Sequence, residues 1–155
     1  MIRFDQIAIA VPNPEKAREF LTRLGFTDWT IDLVTAKGKV GDNLSAVNVA
    51  DLSFNYDMFN PDRPVEFEVI NYETGNNFHN YLPCPIGISH LGYHTEDMLD
   101  EKERFKRFNI AILQEVRTLS HSNPDMPKGR HYHYCIFDTV DQCGFYIKAI
   151  KRIEK

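Results

Sequence analysis

The chain has 155 residues and a formal net charge of −4, from 18 Lys and Arg against 22 Asp and Glu. Hydrophobic residues make up 43% and charged residues 26%, a globular composition that excludes a disordered tail protein. The mild acidity, with no basic run, argues against a nucleic-acid or anionic-membrane binder, and the length lets one domain fold without a disulfide or structural metal.

The first segment, Gln6-Ile7-Ala8-Ile9-Ala10-Val11, alternates and is predicted to be a strand. Ile7, Ile9 and Val11 share one face; Gln6, Ala8 and Ala10 share the other, where small side chains leave room above a sheet. This apolar run of five residues, Ile7 to Val11, ends at Pro12 and is too short for a secretory signal. Nothing in the sequence approaches the ~20 apolar residues of a membrane span. Asn13 and Pro14 suit the cap and first position of a helix, Ala17, Phe20, Leu21 and Leu24 form its apolar stripe, and Gly25 stops it. Strands are predicted over Trp29 to Thr35, Leu44 to Asn55 with a break near Asp51, and Val65 to Asn71. Lys37-Gly38-Lys39 and Asn60-Pro61-Asp62-Arg63-Pro64 are the predicted turns.

A polar loop from Glu73 to Pro85 reads as a linker, after which the pattern returns. Ser89 to His94 is predicted as a strand, Met98 to Phe108 as a helix ending at Asn109, and Ile110 to Arg117, Tyr132 to Asp138 and Gly144 to Ile150 as strands. The halves align at an offset of 84 at their starts, Gln6 against His90, and 80 at their ends, Glu68 against Lys148. Two β-α-β-β-β modules, each too small to bury its own sheet face, are therefore expected to share one curved sheet. The division is module one about 1–72, a linker about 73–86 and module two about 87–155, together a single domain over 1–155. Cys84, Cys135 and Cys143 have no framework spacing, so free thiols in a reducing, cytoplasmic setting are expected.

With these pieces in this order, the sequence resembles the vicinal oxygen chelate superfamily of glyoxalase I, bleomycin-resistance proteins, methylmalonyl-CoA epimerase, fosfomycin-resistance enzymes and extradiol dioxygenases. The carriers are Gln6 to Val11, Asn13-Pro14 with the helix to Leu24-Gly25-Phe26, Phe67-Glu68-Val69, Gly87 to Gly92, and Gly144-Phe145-Tyr146-Ile147. The resemblance implies an α+β fold: two tandem β-α-β-β-β modules in an open eight-stranded barrel-like sheet around a cleft, helices outside. It implies a homodimer and a small-molecule ligand, with no nucleic-acid or membrane partner.

Residue by residue, the resemblance makes Gln6, Glu68 and His90 metal ligands, closest to the glyoxalase I pattern. An amide oxygen, a carboxylate and an imidazole suit one divalent ion such as Zn, Ni, Fe or Mn. At the fourth position, where the superfamily has a glutamate, this chain has Lys148. An ammonium has no lone pair and cannot be a ligand. Three alternatives stand open: Lys148 swings aside or loses its proton and serves as a base, it replaces the metal by pairing with Glu68, or it faces solvent. Glu68 and Lys148 are the catalytic candidates of a metal-dependent lyase or isomerase acting on a small oxygenated substrate. The alternative is a metal-free, bleomycin-resistance-like binding protein. Ala8, Gly92, His94, Tyr146 and Lys148 are the expected substrate-binding residues.

Outside the resemblance, His94 shares a strand face with His90 and reads more readily as a strand-end histidine. Glu66, two before Glu68, could share its strand face. His131, His133 and Cys135 alternate with Arg130, Tyr132 and Tyr134, so one face of that strand is open to a cleft role; a metal held by the two histidines is disfavoured. Ser120 to Gly129 is either a lid or a plain connection.

Overall fold

The computed structural model describes residues 3–55, 65–74, 87–124, 126 and 131–153, excluding the side chains of 72–74. The predicted turn at 60–64, most of the linker, Cys84, Arg130 and most of the 125–129 loop segment lie outside the described residues.

The elements follow in the order β1 (Gln6–Ala10), α1 (Pro14–Arg23), β2 (Thr30–Val40), β3 (Asn43–Asn55), β4 (Glu66–Thr74), β5 (Gly87–His94), α2 (Met98–Arg107), β6 (Ile112–His121), β7 (His131–Phe137), α3 (Val140–Cys143) and β8 (Tyr146–Ile153). The expected eight-stranded barrel-like sheet forms, and its edges are joined. The strand order is β1-β4-β3-β2-β6-β7-β8-β5, with β2 pairing β6 along one seam and β1 pairing β5 along the other. Closure leaves no unpaired strand edge in the ring among the described residues.

The repeat is visible in the register. In module one Gln6 lies beside Glu66 and Ala8 beside Glu68; in module two His90 lies beside Tyr146 and Gly92 beside Lys148. These are the pairs the offsets of 84 and 80 predict. Across the β1/β5 seam Gln6 faces Gly92 and Ala8 faces His90, a local two-fold relation that brings the two module starts together.

Both long helices form as capping chemistry dictates. The Asn13 side chain accepts Lys16 N–H at 2.9 Å with Pro14 in the first turn, and Gly25 follows at φ +101°. Asp97 accepts the N–H groups of Leu99 and Asp100 at the start of α2. Helix α2 covers the outer face of module two through Met98 and Phe105, the latter stacked on Phe137 with ring centroids 3.7 Å apart.

The sequence reading of β2 needs correction. The strand does not turn at Lys37-Gly38-Lys39; it runs on to Val40, and the hairpin turns at Gly41-Asp42. Gly38 answers to packing: a Cβ there would sit 2.2 Å from the Glu115 carbonyl oxygen, so the close approach of β6 demands glycine. The break expected near Asp51 is absent, β6 extends to His121, and a short helix, α3, links β7 to β8.

Candidate functional site

Gln6, Ala8 and Ala10 all point into the barrel and are buried. Gln6 therefore meets the inward residues of β4, β5 and β8. Its Oε1 lies 3.0 Å from His90 Nε2, and His90 Nε2 lies 3.4 Å from Glu68 Oε2. The three residues named from the sequence converge inside the barrel, each almost fully buried. The third alternative for Lys148 is thereby removed: it also faces inward, donating to Gln6 Oε1 at 3.1 Å with its ammonium 4.9 Å from the Tyr134 ring centroid. No ion pair joins it to Glu68 among the described residues, so the expected Lys148–Glu68 pair is replaced by a Lys148–Gln6 hydrogen bond.

Gly92 makes this cluster possible. A Cβ on Gly92 would lie 2.8 Å from Gln6 Oε1 and 3.0 Å from Gln6 Cβ, so any larger residue would push Gln6 off the site. Glu66 joins the cluster as acceptor of a hydrogen bond from Gln6 Nε2. Burial, reinforced by the neighbouring Glu68 charge, pushes the Glu66 carboxyl up to about 7. Burial and the Lys148 charge hold His90 well below the ordinary histidine value, so its ring is neutral. Ser89 Oγ lies 3.1 Å from His90 Nδ1.

Gln6, Glu66, Glu68 and Lys148 form one end of a cavity with about 70 Å³ of room for water-sized molecules, and His90 stands directly behind them. Apolar side chains from β2, β3 and β4 (Val34, Ala36, Ala50, Leu52, Phe54 and Ile70) line its middle. Tyr132 and Tyr134 supply the β7 side, which settles the face of that strand: its tyrosines enter the cavity and Cys135 packs outward under α2. His94 lines the cavity and is held by Asp5, Nδ1 to Oδ2 at 3.0 Å, a strand-end bond to a side chain rather than to backbone. Of the expected substrate-binding residues, His94 and Lys148 line the cavity. Ala8, Gly92 and Tyr146 stand behind its wall: Ala8 packs with Leu52, Phe54 and Ile70, and Tyr146 with Ile136.

Metal bonds of about 2.0–2.2 Å place neighbouring donors roughly 3 Å apart, and the separations of 3.0 and 3.4 Å between Gln6 Oε1, His90 Nε2 and Glu68 Oε2 match that spacing. A neutral imidazole is the form that ligates. The set fits at three points, with the Lys148 ammonium at the fourth. A second group of possible ligands, Glu115, His133 and Cys135, lies outside the cavity wall. There Lys102 already holds both Glu115 oxygens at 3.0 and 2.9 Å, and burial pushes the Cys135 thiol up to about 12. A metal would have to displace the first and deprotonate the second, so this group is the poorer fit.

The sequence reading did not single out Asp32 or His121. His121 lines the cavity opposite the Gln6 cluster, its Nδ1 bonded to Asp32 Oδ2, and Asp32 is buried. One signal was present: Asp32 sits between Ile31 and Leu33 in a strand where alternation alone would turn the apolar pair inward.

Residues 5–124 match the sequence profile of the Glyoxalase/Bleomycin resistance protein/Dioxygenase superfamily. The chain belongs to this superfamily. Several solved structures share its fold at low identity. A hypothetical protein from Bacillus halodurans C-125 superposes with a TM-score of 0.58 at 12% identity, covering 99% of this chain and 96% of that one. Methylmalonyl-CoA epimerase in complex with methylmalonyl-CoA and NH4+ gives 0.56 at 13% identity, covering 97% and 94%. A variant of 4-hydroxymandelate synthase from Streptomyces coelicolor gives 0.58 at 12% identity, covering 99% of this chain and 50% of that larger one. No curated protein sequence matches the chain. Among the described residues no helix is long and apolar enough to cross a membrane.

Proposed function

We propose that this superfamily member is a glyoxalase-like lyase or isomerase that moves a proton on the carbon beside a carbonyl of a small oxygenated substrate, the whole chain acting as one domain. The observation that carries the reading is the meeting of Gln6 Oε1, Glu68 Oε2 and His90 Nε2 from three strands at metal-donor spacing, at the end of a cavity with apolar walls. These three would hold one divalent ion of the Zn, Ni, Fe or Mn kind. Such an ion polarises a carbonyl or hydroxyl oxygen and stabilises negative charge beside it. Gln6 and His90 orient, held in turn by Gly92 and Ser89. Glu66 and Lys148 line the cavity within the same cluster and can hold or move a proton. The apolar walls exclude water and strengthen every charge interaction at that end. The epimerases among the structural neighbours support the class of chemistry through fold only. A homodimer and a cytoplasmic location remain part of this proposal.

One observation favours a second reading. Lys148 donates to Gln6 Oε1, the oxygen a metal would take. With the ammonium in place of the ion, the cavity would bind a small molecule without turnover, as bleomycin-resistance-like proteins do. Elemental analysis of protein purified without chelator, with calorimetric titration of Zn²⁺, Ni²⁺ and Mn²⁺, decides between them. About one equivalent of metal, lost in His90→Ala, supports the enzyme; no metal and no titratable binding in the wild type supports the binder.

A further inference from the structure

We propose that Asn48, with the Thr118 hydroxyl on the same inward row, is a second polar contact of the cavity and takes a neutral carbonyl or carboxamide group of the bound molecule. The inference rests on reading the cavity as a small-molecule site and extends it to the part of the ligand remote from the Gln6 cluster.

Strand β3 turns Ala46, Asn48, Ala50, Leu52 and Phe54 inward, and all but Asn48 are apolar. Asn48 is 1% exposed and lines the cavity with Ala50 and Leu52. Its Nδ2 has no hydrogen-bond partner among the described residues. Buried side-chain amides nearly always find a partner, and one left without it costs stability. Such violations of pattern concentrate at working sites, where a bound molecule supplies the missing partner. The register shows why there is space for one. Asn48 pairs with Ala36 of β2, and Ala36 pairs on its other side with Thr118 of β6. The Ala36 methyl keeps the middle of this row low, between the two polar side chains. Thr118 also lines the cavity. Its Oγ1 accepts the Tyr132 backbone N–H at 3.4 Å and keeps a hydroxyl proton to donate.

An amide and a hydroxyl carry no net charge, and a neutral group loses less than an ion on leaving water, so a carbonyl or carboxamide is the class that fits. Leu52 and Ala50 separate Asn48 from Phe54, the strand partner of Glu68. The ligand that follows has an oxygen function at the Gln6 end, a hydrocarbon stretch, and a neutral polar group beyond it. Two probe series test this: straight-chain 2-oxo acids of six to twelve carbons, and the same acids with the terminal methyl replaced by a carboxamide. Calorimetry on wild type as purified is expected to show, at the chain length that reaches Asn48, the carboxamide probe binding at least tenfold more tightly than its methyl counterpart. Asn48→Leu, of similar volume, should abolish that preference and bind the methyl series at least as well. Without ligand the same variant should melt higher than wild type, because the unpaired amide is gone. In wild type the preferred carboxamide probe, and not its methyl counterpart, should shift the Asn48 side-chain ¹⁵N resonance, a readout that needs no variant. No carboxamide preference at any length, or an unmoved Asn48 resonance, overturns the contact and leaves the proposed function standing. A variant that melts lower than wild type assigns the amide to the fold and overturns it likewise. Failure of both series to bind overturns the small-molecule reading of the cavity, and this inference with it.

Discussion

Lys148 Nζ and His90 Nε2 lie 3.1 and 3.0 Å from the same atom, Gln6 Oε1. An amide oxygen only accepts, so His90 carries its proton on Nε2 in this arrangement and Nδ1 accepts from Ser89 Oγ. Metal ligation through Nε2 requires the opposite tautomer. The Ser89 hydroxyl can serve either, as donor or acceptor, so the ring can change state without losing that partner.

Lys148→Glu would place a carboxylate beside Glu66, Glu68, Gln6 and His90 and rebuild the superfamily's fourth ligand. Without metal the variant should be less stable than wild type, by about 1–3 kcal/mol, because carboxylates crowd without a cation. With metal at a hundred times its dissociation constant it should regain about 2.7 kcal/mol. Thermal melts of both proteins with and without Zn²⁺, Ni²⁺ or Mn²⁺ measure this. A wild type that melts higher with metal and a variant that gains no more would show that Lys148 does not compete with the ion.

Glu66 is protonated more readily in the folded chain than in the unfolded one, with a folded value of about 7 against 4.5. Between those values the folded state binds the extra proton, so its contribution to stability is present at low pH and lost as pH rises from about 4.5 through 7. Glu66→Gln cannot titrate and still accepts from Gln6 Nε2. In chelator, the variant's unfolding free energy should fall less than wild type's over that range, the difference reaching about 2–3 kcal/mol at neutral pH. Parallel profiles would mean that Glu66 ionises normally.

Gly92→Ala should separate the site from the fold. The added Cβ meets Gln6 rather than backbone, so the side chain must move. A stability loss of about 1–3 kcal/mol is expected, with metal affinity reduced tenfold or more because one donor is displaced. Retained affinity in calorimetry would argue that Gln6 is not a ligand.

His133→Gln should leave metal stoichiometry unchanged. The His133, Glu115 and Cys135 group lies outside the cavity wall, and Lys102 and His133 already hold its Glu115 carboxylate. Loss of an equivalent in elemental analysis of this variant would relocate the metal site to the outer face.

Local pattern and repeat offset were enough to read both modules and the shared strand face of Gln6, Ala8 and Ala10, because strand alternation is a short-range property and the repeat is written in the sequence. The grouping of Gln6, Glu68 and His90 came from the family resemblance carried onto those positions. Other features needed distance in three dimensions. Gly38 looked like a turn residue until β6 lay against it, and Lys148 was left between three orientations until Gln6 Oε1 stood within reach. The Glu66 value near 7 arises from burial that no strand creates alone. Asp32 and His121, 89 positions apart, become a pair only when the β2/β6 seam closes. Sequence by itself determined which residues can be strands and which donors share a face. The tertiary structure decided which strands are neighbours, and with that which charges are buried together.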